Sequence, residues 1–278
     1  MISVVIPTIG SKHLNKTIDH LFKQTVLPDE VILVVPKQYK KEINIITNKN
    51  ILIIYTDKKG QVYQRSIGLK NAKYKYVMQL DDDVFLTDRN LISNLIEQLL
   101  SVAENSVVAP VIREINKDIF KYGKFKLLMI RLYNYFIRGS RNFYNNFGEI
   151  STFGIPCPQI NFSEKSNIQT DWLPGGCVMS KKINLVTEDF YPYPGKAYSE
   201  DILHSIIRKN NNIKHYLISN LYVETLSDTF NIKNDFYSQY KIRKYICKYV
   251  SGNVFRFYIW YYLESIKINL KFNVFQYR

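Results

Sequence analysis

Tyr76-Val77-Met78-Gln79-Leu80-Asp81-Asp82-Asp83 is the stretch on which the fold turns. Five apolar or β-prone residues running straight into three aspartates read as a buried strand that delivers carboxylates to a sheet's edge. Side chains alternate along a strand, so Asp81 and Asp83 are expected on one side and Asp82 on the other. Like charges held that close repel, and without a cation or positive partner one pKa is pushed up. Oxygen-only ligands suit Mg2+ or Mn2+. The plainer alternatives are a solvated turn or a helix N-cap. Against the second, Thr87 and Asp88 are better placed to cap the helix predicted from Leu91-Ile92, Leu95-Ile96 and Leu99-Leu100.

Outward from this strand, Ile2 to Ile6, Val31 to Val35, Ile51 to Tyr55 and Val107 to Val111 are further short apolar runs. Helical patterns such as Leu14-Ile18-Leu21-Phe22 and Val62-Ile67-Leu69 separate several of them. That alternation, with apolar residues on both strand faces, predicts βαβ units and a mostly parallel α/β sheet flanked by helices. Ligands bind such sheets beyond the carboxyl ends of the strands, where the aspartates fall. Residues 112–170 break the rhythm with a basic aromatic run from Lys117 to Arg141 and are expected as an insertion over the active-site face. Order returns at Trp172-Leu173-Pro174-Gly175-Gly176-Cys177-Val178-Met179, and a helix opens at Ser199-Glu200-Asp201. We expect one domain over 1–230, divided into a nucleotide-binding-like half (1–111), the insertion (112–170) and a remaining half (171–230), to which the resemblance given below assigns the acceptor and catalytic base. A basic, aromatic helical extension follows over 231–278.

The chain has 278 residues, 46% of them hydrophobic, which is enough to fill a large core. Its net charge of +14 is concentrated: residues 112–146 and 231–278 hold seventeen cations against four anions, 13 of the 14 charges. The basicity therefore belongs to two accessory segments. Cys157, Cys177 and Cys247 offer no CxxC pair and no even count, which points to a reducing, cytoplasmic compartment. The opening Ser3-Val4-Val5-Ile6-Pro7 reads as a strand and not a signal peptide, and no apolar stretch approaches membrane-spanning length.

With these motifs in this order, the chain resembles the family 2 glycosyltransferases over roughly residues 2–245. The resemblance implies the GT-A fold and a nucleoside diphosphate sugar as donor. Ser3-Val4-Val5-Ile6-Pro7-Thr8 is similar to the family's first strand, whose end, here Pro7 and Thr8, contacts the nucleotide. Asp57 matches the acidic residue that bonds the base. Gly60-Gln61-Val62-Tyr63-Gln64-Arg65-Ser66-Ile67-Gly68-Leu69 with Asn71-Ala72 resembles the helix before the metal-binding strand, bringing Gln64 and Arg65 to the donor. Leu80-Asp81-Asp82-Asp83 falls on the DxD motif, implying Asp81 near ribose and metal, Asp82 at the donor and Asp83 on the metal. Trp172-Leu173-Pro174-Gly175-Gly176 resembles the acceptor-side loop. Glu200-Asp201, with Arg208 seven residues after Asp201, resembles the ED motif that carries the catalytic base. In Leu221-Tyr222-Val223-Glu224-Thr225-Leu226-Ser227, Glu224 stands where many members carry a histidine on metal or diphosphate. A carboxylate there is able to ligate Mn2+ but repels a diphosphate that is not already neutralised.

Single displacement by an acceptor hydroxyl, with Asp201 as base and a cation on the departing diphosphate, inverts the anomeric centre. Taken alone, each motif has a plainer reading. Glu200 and Asp201 also suit a helix's first turn, Gly175-Gly176 a tight turn, Asp57 a turn residue, and Arg65 a solvated helical arginine. His13, His20, His204 and His215 lack ligand spacing, and Cys157 and Cys177 read as small buried groups. Two enzyme alternatives lack their signatures: a nucleotidyltransferase needs more than the one glycine of Pro7-Thr8-Ile9-Gly10-Ser11-Lys12, and a dinucleotide enzyme needs GxGxxG. A catalytically inactive nucleotide-binding scaffold is the third reading.

The basic segments interleave cations with aromatics, from Lys117 to Arg138 and from Tyr237 through Phe257, Trp260 and Tyr261. Such segments suit either the interface of an anionic membrane or helices packed on the domain with solvated lysines. The first goes with a glycan or lipid-linked acceptor in bacterial surface polysaccharide synthesis, on the membrane's inner face. No RNA- or DNA-binding module is recognisable, so no nucleic acid partner is expected.

Overall fold

The structure is a computed structural model that describes residues 1–43, 50–115, 123–144, 148–158, 167–226 and 232–275. Its first elements are β1 (Ile2–Pro7), α1 (Leu14–Leu21), β2 (Glu30–Pro36), β3 (Ile51–Thr56), α2 (Gln61–Asn71), β4 (Tyr76–Leu80), β5 (Val84–Phe85), α3 (Leu91–Ser101) and β6 (Ser106–Glu114). There follow α4 (Lys124–Phe136), β7 (Asn167–Thr170), β8 (Cys177–Lys181), α5 (Glu200–Asn210), β9 (Lys214–Thr225), α6 (Ile232–Ser238), α7 (Tyr240–Tyr249) and α8 (Val254–Phe275). They form two compact units, one of residues 1–117 and 161–227, the other of 118–160 and 228–278.

The first unit is a sheet in the order β3-β2-β1-β4-β8-β6-β9-β5, with β7 on the other end of β9. Its first four strands are parallel, as alternation with helices requires. Parallel pairing resumes between β6 and β9, but other pairings run the opposite way. β8 runs antiparallel between β4 and β6, and β5 and β7 pair antiparallel with β9, so the sheet is mixed. Every residue of β1 and β2 is buried because helices cover both faces. Ile2, Val4, Ile6, Leu33 and Val35 pack with Leu14 and Leu21 of α1 and Leu91, Leu95 and Leu99 of α3. Val5, Ile32 and Val34 face Leu69 of α2. A Cβ on Gly68 would collide with Val5 and Val34, so this glycine sets how closely α2 lies on the sheet.

Two local devices shape the site end of the sheet. Pro110 has no N–H for the ladder, and the β6–β9 register jumps there from Pro110↔Ile218 to Val111↔Tyr222. Beyond that bulge β9 reaches β5, placing Thr225 opposite Val84 and Glu224 opposite Phe85, just past the aspartates. The cap of α3 differs from expectation. Asn90 is its N-cap residue and makes no side-chain cap, while Asp88 accepts from the Asn90 N–H (2.9 Å) in the preceding turn.

In the second unit the stretch expected as an insertion and the tail expected as an extension share one core. Phe153 and Ile155 from the former pack with Phe236, Cys247, Phe257 and Trp260 from the latter. Buried Glu264 of α8 accepts from the Tyr133 hydroxyl (2.8 Å) and from Arg138 (3.3 Å). Lys117 to Tyr122 of the basic run, Ser227 and Arg278 lie outside the described residues. No described helix is long and apolar enough to cross a membrane.

Candidate active site

Strand β4 ends at Leu80, and the chain turns at once through the aspartates: the Val84 N–H donates to the Asp81 carbonyl (3.3 Å). The Asp81 and Asp82 carboxyls part company in that turn. Asp82 accepts from the Thr8 hydroxyl at the end of β1, and its carbonyl from the Thr17 hydroxyl of α1 (3.0 Å). Burial, opposed by that Thr8 bond and aided by the neighbouring Asp81 charge, raises the Asp82 pKa. Asp81 points to α2 instead, where its Oδ1 accepts from Arg65 Nη2 (2.8 Å) and Gln61 Nε2 (3.2 Å).

Arg65 is the hub. Its guanidinium is 2% exposed and bridges Asp81 to Glu200 of α5, Nη1 lying 2.7 Å from Glu200 Oε1. Desolvation works against its charge, but Glu200 and Asp81 together outweigh it and raise the pKa. A helical arginine that pattern alone leaves solvated is here a buried ion-pair partner, joining the strand β4 end to the first turn of α5.

Gly175 is explained by the same junction, and Gly176 lies beside it. A Cβ on Gly175 would lie 2.5 Å from Glu200 Oε1, and one on Gly176 3.5 Å from Asp81 Oδ2. Gly176 O accepts from the Asp81 N–H (2.8 Å) and Gly175 O from Gln79 Nε2 (2.6 Å), while the Leu173 N–H donates to Ser205 of α5 (3.2 Å). The loop is thus stitched to β4 and α5 together. Trp172 stays in the loop itself, its carbonyl accepting from Thr170 (2.8 Å).

Asp201, next to Glu200, is partly buried, and its Oδ1 accepts from the Ile202 N–H (2.9 Å). Desolvation first, then the Glu200 charge, push its pKa up to about 7. That value suits a general base at neutral pH. The residue before the pair, Ser199, has left-handed backbone (φ 53°), a conformation that costs an L-residue about 1–2 kcal/mol. Strain of this kind collects at functional sites. Behind the pair, buried Arg208 is driven down to about 9 and His215 down to about 3, chiefly by desolvation. His204 is lowered for the same reason and packs on Phe190. These histidines serve as neutral buried groups. Burial also lifts the Cys177 thiol to about 12, which leaves it protonated.

Other expected site residues stand apart. Asp57 forms an exposed ion pair with Lys37 (2.6 Å). Gln64 spends both amide hydrogens on the carbonyls of Thr8 (2.9 Å) and Val34 (2.7 Å), so it ties the ends of β1 and β2 together and has no donor left for a ligand. Pro7 is the buried last residue of β1. Gln61, Thr17, Gln79 and Tyr191 were not foreseen. Tyr191 is raised by burial and by the Glu200 charge, and Tyr191, Tyr193, Lys58, Gly60 and Gln61 line a cleft of about 240 Å³.

A divalent cation is implied by the fold family. Among the described residues no three His, Cys, Asp or Glu side chains converge as a metal site, so the expected set of Asp81, Asp83 and Glu224 is not assembled as a cage. The donor chemistry fits a smaller role. Arg65 and Gln61 hold Asp81 by Oδ1, and two carboxylates with substrate oxygens completing the shell are a usual arrangement for Mg2+.

Residues 3–157, more than half of the chain, match the family described as glycosyl transferase family 2. Among solved structures the chain is similar to Staphylococcus aureus TarS 1–349 at 16% identity and a TM-score of 0.51, covering 88% of this chain and 64% of that one. It is similar to GalNAc-T7 at 16% identity and a TM-score of 0.58, over 82% of this chain and 43% of that one. A second TarS 1–349 structure, in complex with UDP-GlcNAc, aligns at 13% identity and a TM-score of 0.52, over 88% and 66%. The chain therefore spans less than two thirds of the length of these structures. No curated protein has a matching sequence. With a GT-A fold and a family match running from β1 through the aspartate turn, the chain belongs to glycosyl transferase family 2.

Proposed function

We propose that the protein transfers a sugar from a nucleoside diphosphate sugar, a UDP sugar foremost, to a hydroxyl of a glycan or lipid-linked acceptor, inverting the anomeric centre. The observation that carries this is the Arg65 bridge, which joins the aspartate turn at the end of β4 to the Glu200-Asp201 pair. The similar structures support the donor class: one TarS structure is a complex with UDP-GlcNAc, and the GalNAc-T7 structure holds UDP, GalNAc and Mn2+.

In this reading Thr8 and Asp57 meet the nucleotide, and Trp172, Gly175 and Gly176 border the acceptor. Asp201 accepts the acceptor hydroxyl's proton as that oxygen bonds to the anomeric carbon and the bond to the diphosphate breaks. Arg65 pairs with Glu200, and burial together with the neighbouring Glu200 charge keeps the Asp201 pKa high. Asp81 and Asp83 would hold Mg2+ or Mn2+, with Glu224 as a further carboxylate. When bound, the cation supplies neutralisation of the departing diphosphate. We place the reaction on the cytoplasmic side, in bacterial surface polysaccharide synthesis.

Calorimetric titration of nucleoside diphosphates with and without Mn2+, into wild type and Asp83→Ala, tests the reading. One nucleotide should bind in a metal-dependent way, weakened about tenfold or more by the substitution. No binding by any nucleotide would overturn it. A binding scaffold without turnover is the second reading, carried by Glu224 standing where the resemblance implies a histidine. Release of UDP from UDP sugars in the presence of glycan acceptors separates the two.

A further inference from the structure

Helix α8 is apolar on two opposite sides, and the second unit covers one of them. Phe257, Trp260, Glu264 and Ile268 are buried in that unit's core. The opposite side presents Phe255 (73% exposed), Ile259 (43%), Tyr262 (66%), Ile266 (39%) and Leu270 (60%), spaced by three or four residues. That spacing is one continuous stripe of a 3.6-residue helix, some four turns long. A helix apolar on all sides is ordinarily buried, and a contiguous outward stripe of this length marks an interaction surface.

The stripe continues onto α4. Arg256 Nη2 donates to the carbonyl of Phe136 (3.1 Å), which locks the start of α8 to the end of α4. Phe136 is itself 62% exposed, so two outward phenylalanines, 136 and 255, flank this one hydrogen bond. Further along α4, Phe125, Leu128 and Met129 are exposed too.

Charge decides what covers this face. The second unit carries fifteen cations against five anions, ten of the chain's fourteen net positive charges. Cations flank the stripe: Arg256 and Lys267 stand beside it on α8, and the Lys244 ammonium lies 5.3 Å from the centre of the Tyr258 ring. A second copy of this face would bring like charges together. A surface that is negative and apolar beneath suits both features at once. Tyrosines at the margin fit the same surface, since an aromatic ring with a polar tip favours a membrane–water boundary.

We propose that the outward stripe of α8, extended by the end of α4, seats the second unit in the interface of an anionic lipid bilayer. The helix lies in the plane of the interface with Phe255, Ile259, Tyr262, Ile266 and Leu270 among the acyl chains and its cations at the headgroups. The proposal does not depend on the catalytic reading, and its test uses no sugar nucleotide.

The test is flotation of the full chain with phosphatidylcholine vesicles and with vesicles rich in phosphatidylglycerol, for wild type and for Ile259→Asp with Ile266→Asp. Both isoleucines are exposed, so the variant should keep its circular dichroism spectrum and melting temperature. The expected result is wild-type binding to the anionic vesicles, weaker by about tenfold or more on phosphatidylcholine alone and in the variant. Three results would overturn the proposal. Wild type fails to float with anionic vesicles. The variant floats as well as wild type, so that cations alone hold the protein. Or light scattering without lipid shows a wild-type dimer that the two aspartates dissociate, so that a second copy is the cover.

Discussion

Asp201 is a carboxylate that the fold keeps near half-protonation at neutral pH. Desolvation is the larger cause and the Glu200 charge the second. A base must shed its proton before it works, so turnover should rise with pH through about 7 and level off above it, as a pH–rate profile with the identified donor would show. Asp201→Asn should lower the rate by a factor of roughly a hundred to ten thousand and remove that limb. Stability follows the opposite sign. The folded pKa lies above the ordinary aspartate value, so the folded state keeps this proton longer than the unfolded chain does. Between the two values each rise in pH therefore costs stability. The asparagine variant should lack that decline, which urea midpoints at the two ends of the window would reveal.

At the scale of elements, α2 depends on Gly68 for its distance from the sheet. Gly68→Ala should destabilise by about 1–3 kcal/mol, since the added methyl must displace Val5 and Val34, which are fully buried. Denaturant unfolding monitored by circular dichroism measures it. The elements most readable in the sequence were of this kind. β1, β2 and β4 and their helices announce themselves because runs buried on both faces are continuous in sequence, and half-buried β3 does so by its apolar run from Ile51 to Tyr55. β5, β7 and the antiparallel course of β8 were not readable, because each is defined by a partner far away in the chain and two are too short to have a period. The site divides in the same way. The carboxylate turn and the acid pair stand out as clustered like charges. Arg65 does not, since nothing local separates an arginine that bridges Asp81 and Glu200 from one that points to water. Gln64 misled for the related reason that its partners, the carbonyls of Thr8 and Val34, are ends of strands that only the folded sheet brings together.

At the scale of the molecule, the chain is two cores with separate duties. Phe257 is fully buried in the second, so Phe257→Ala should cost that unit about 3–5 kcal/mol. Nucleotide affinity, which belongs to residues of the first unit, should stay within twofold by the same calorimetric titration. The second unit is also discontinuous, with 161–227 of the first unit intervening between its parts. That has a consequence for the chain as it is made. On the ribosome, Phe153 and Ile155 emerge long before Phe236, Phe257 and Trp260 exist to cover them. At ordinary elongation rates the wait is on the order of ten seconds. The first unit gains its last three strands, β7 to β9, in that interval, while the second is left with half a core, so the nascent protein is most in need of a chaperone late in translation.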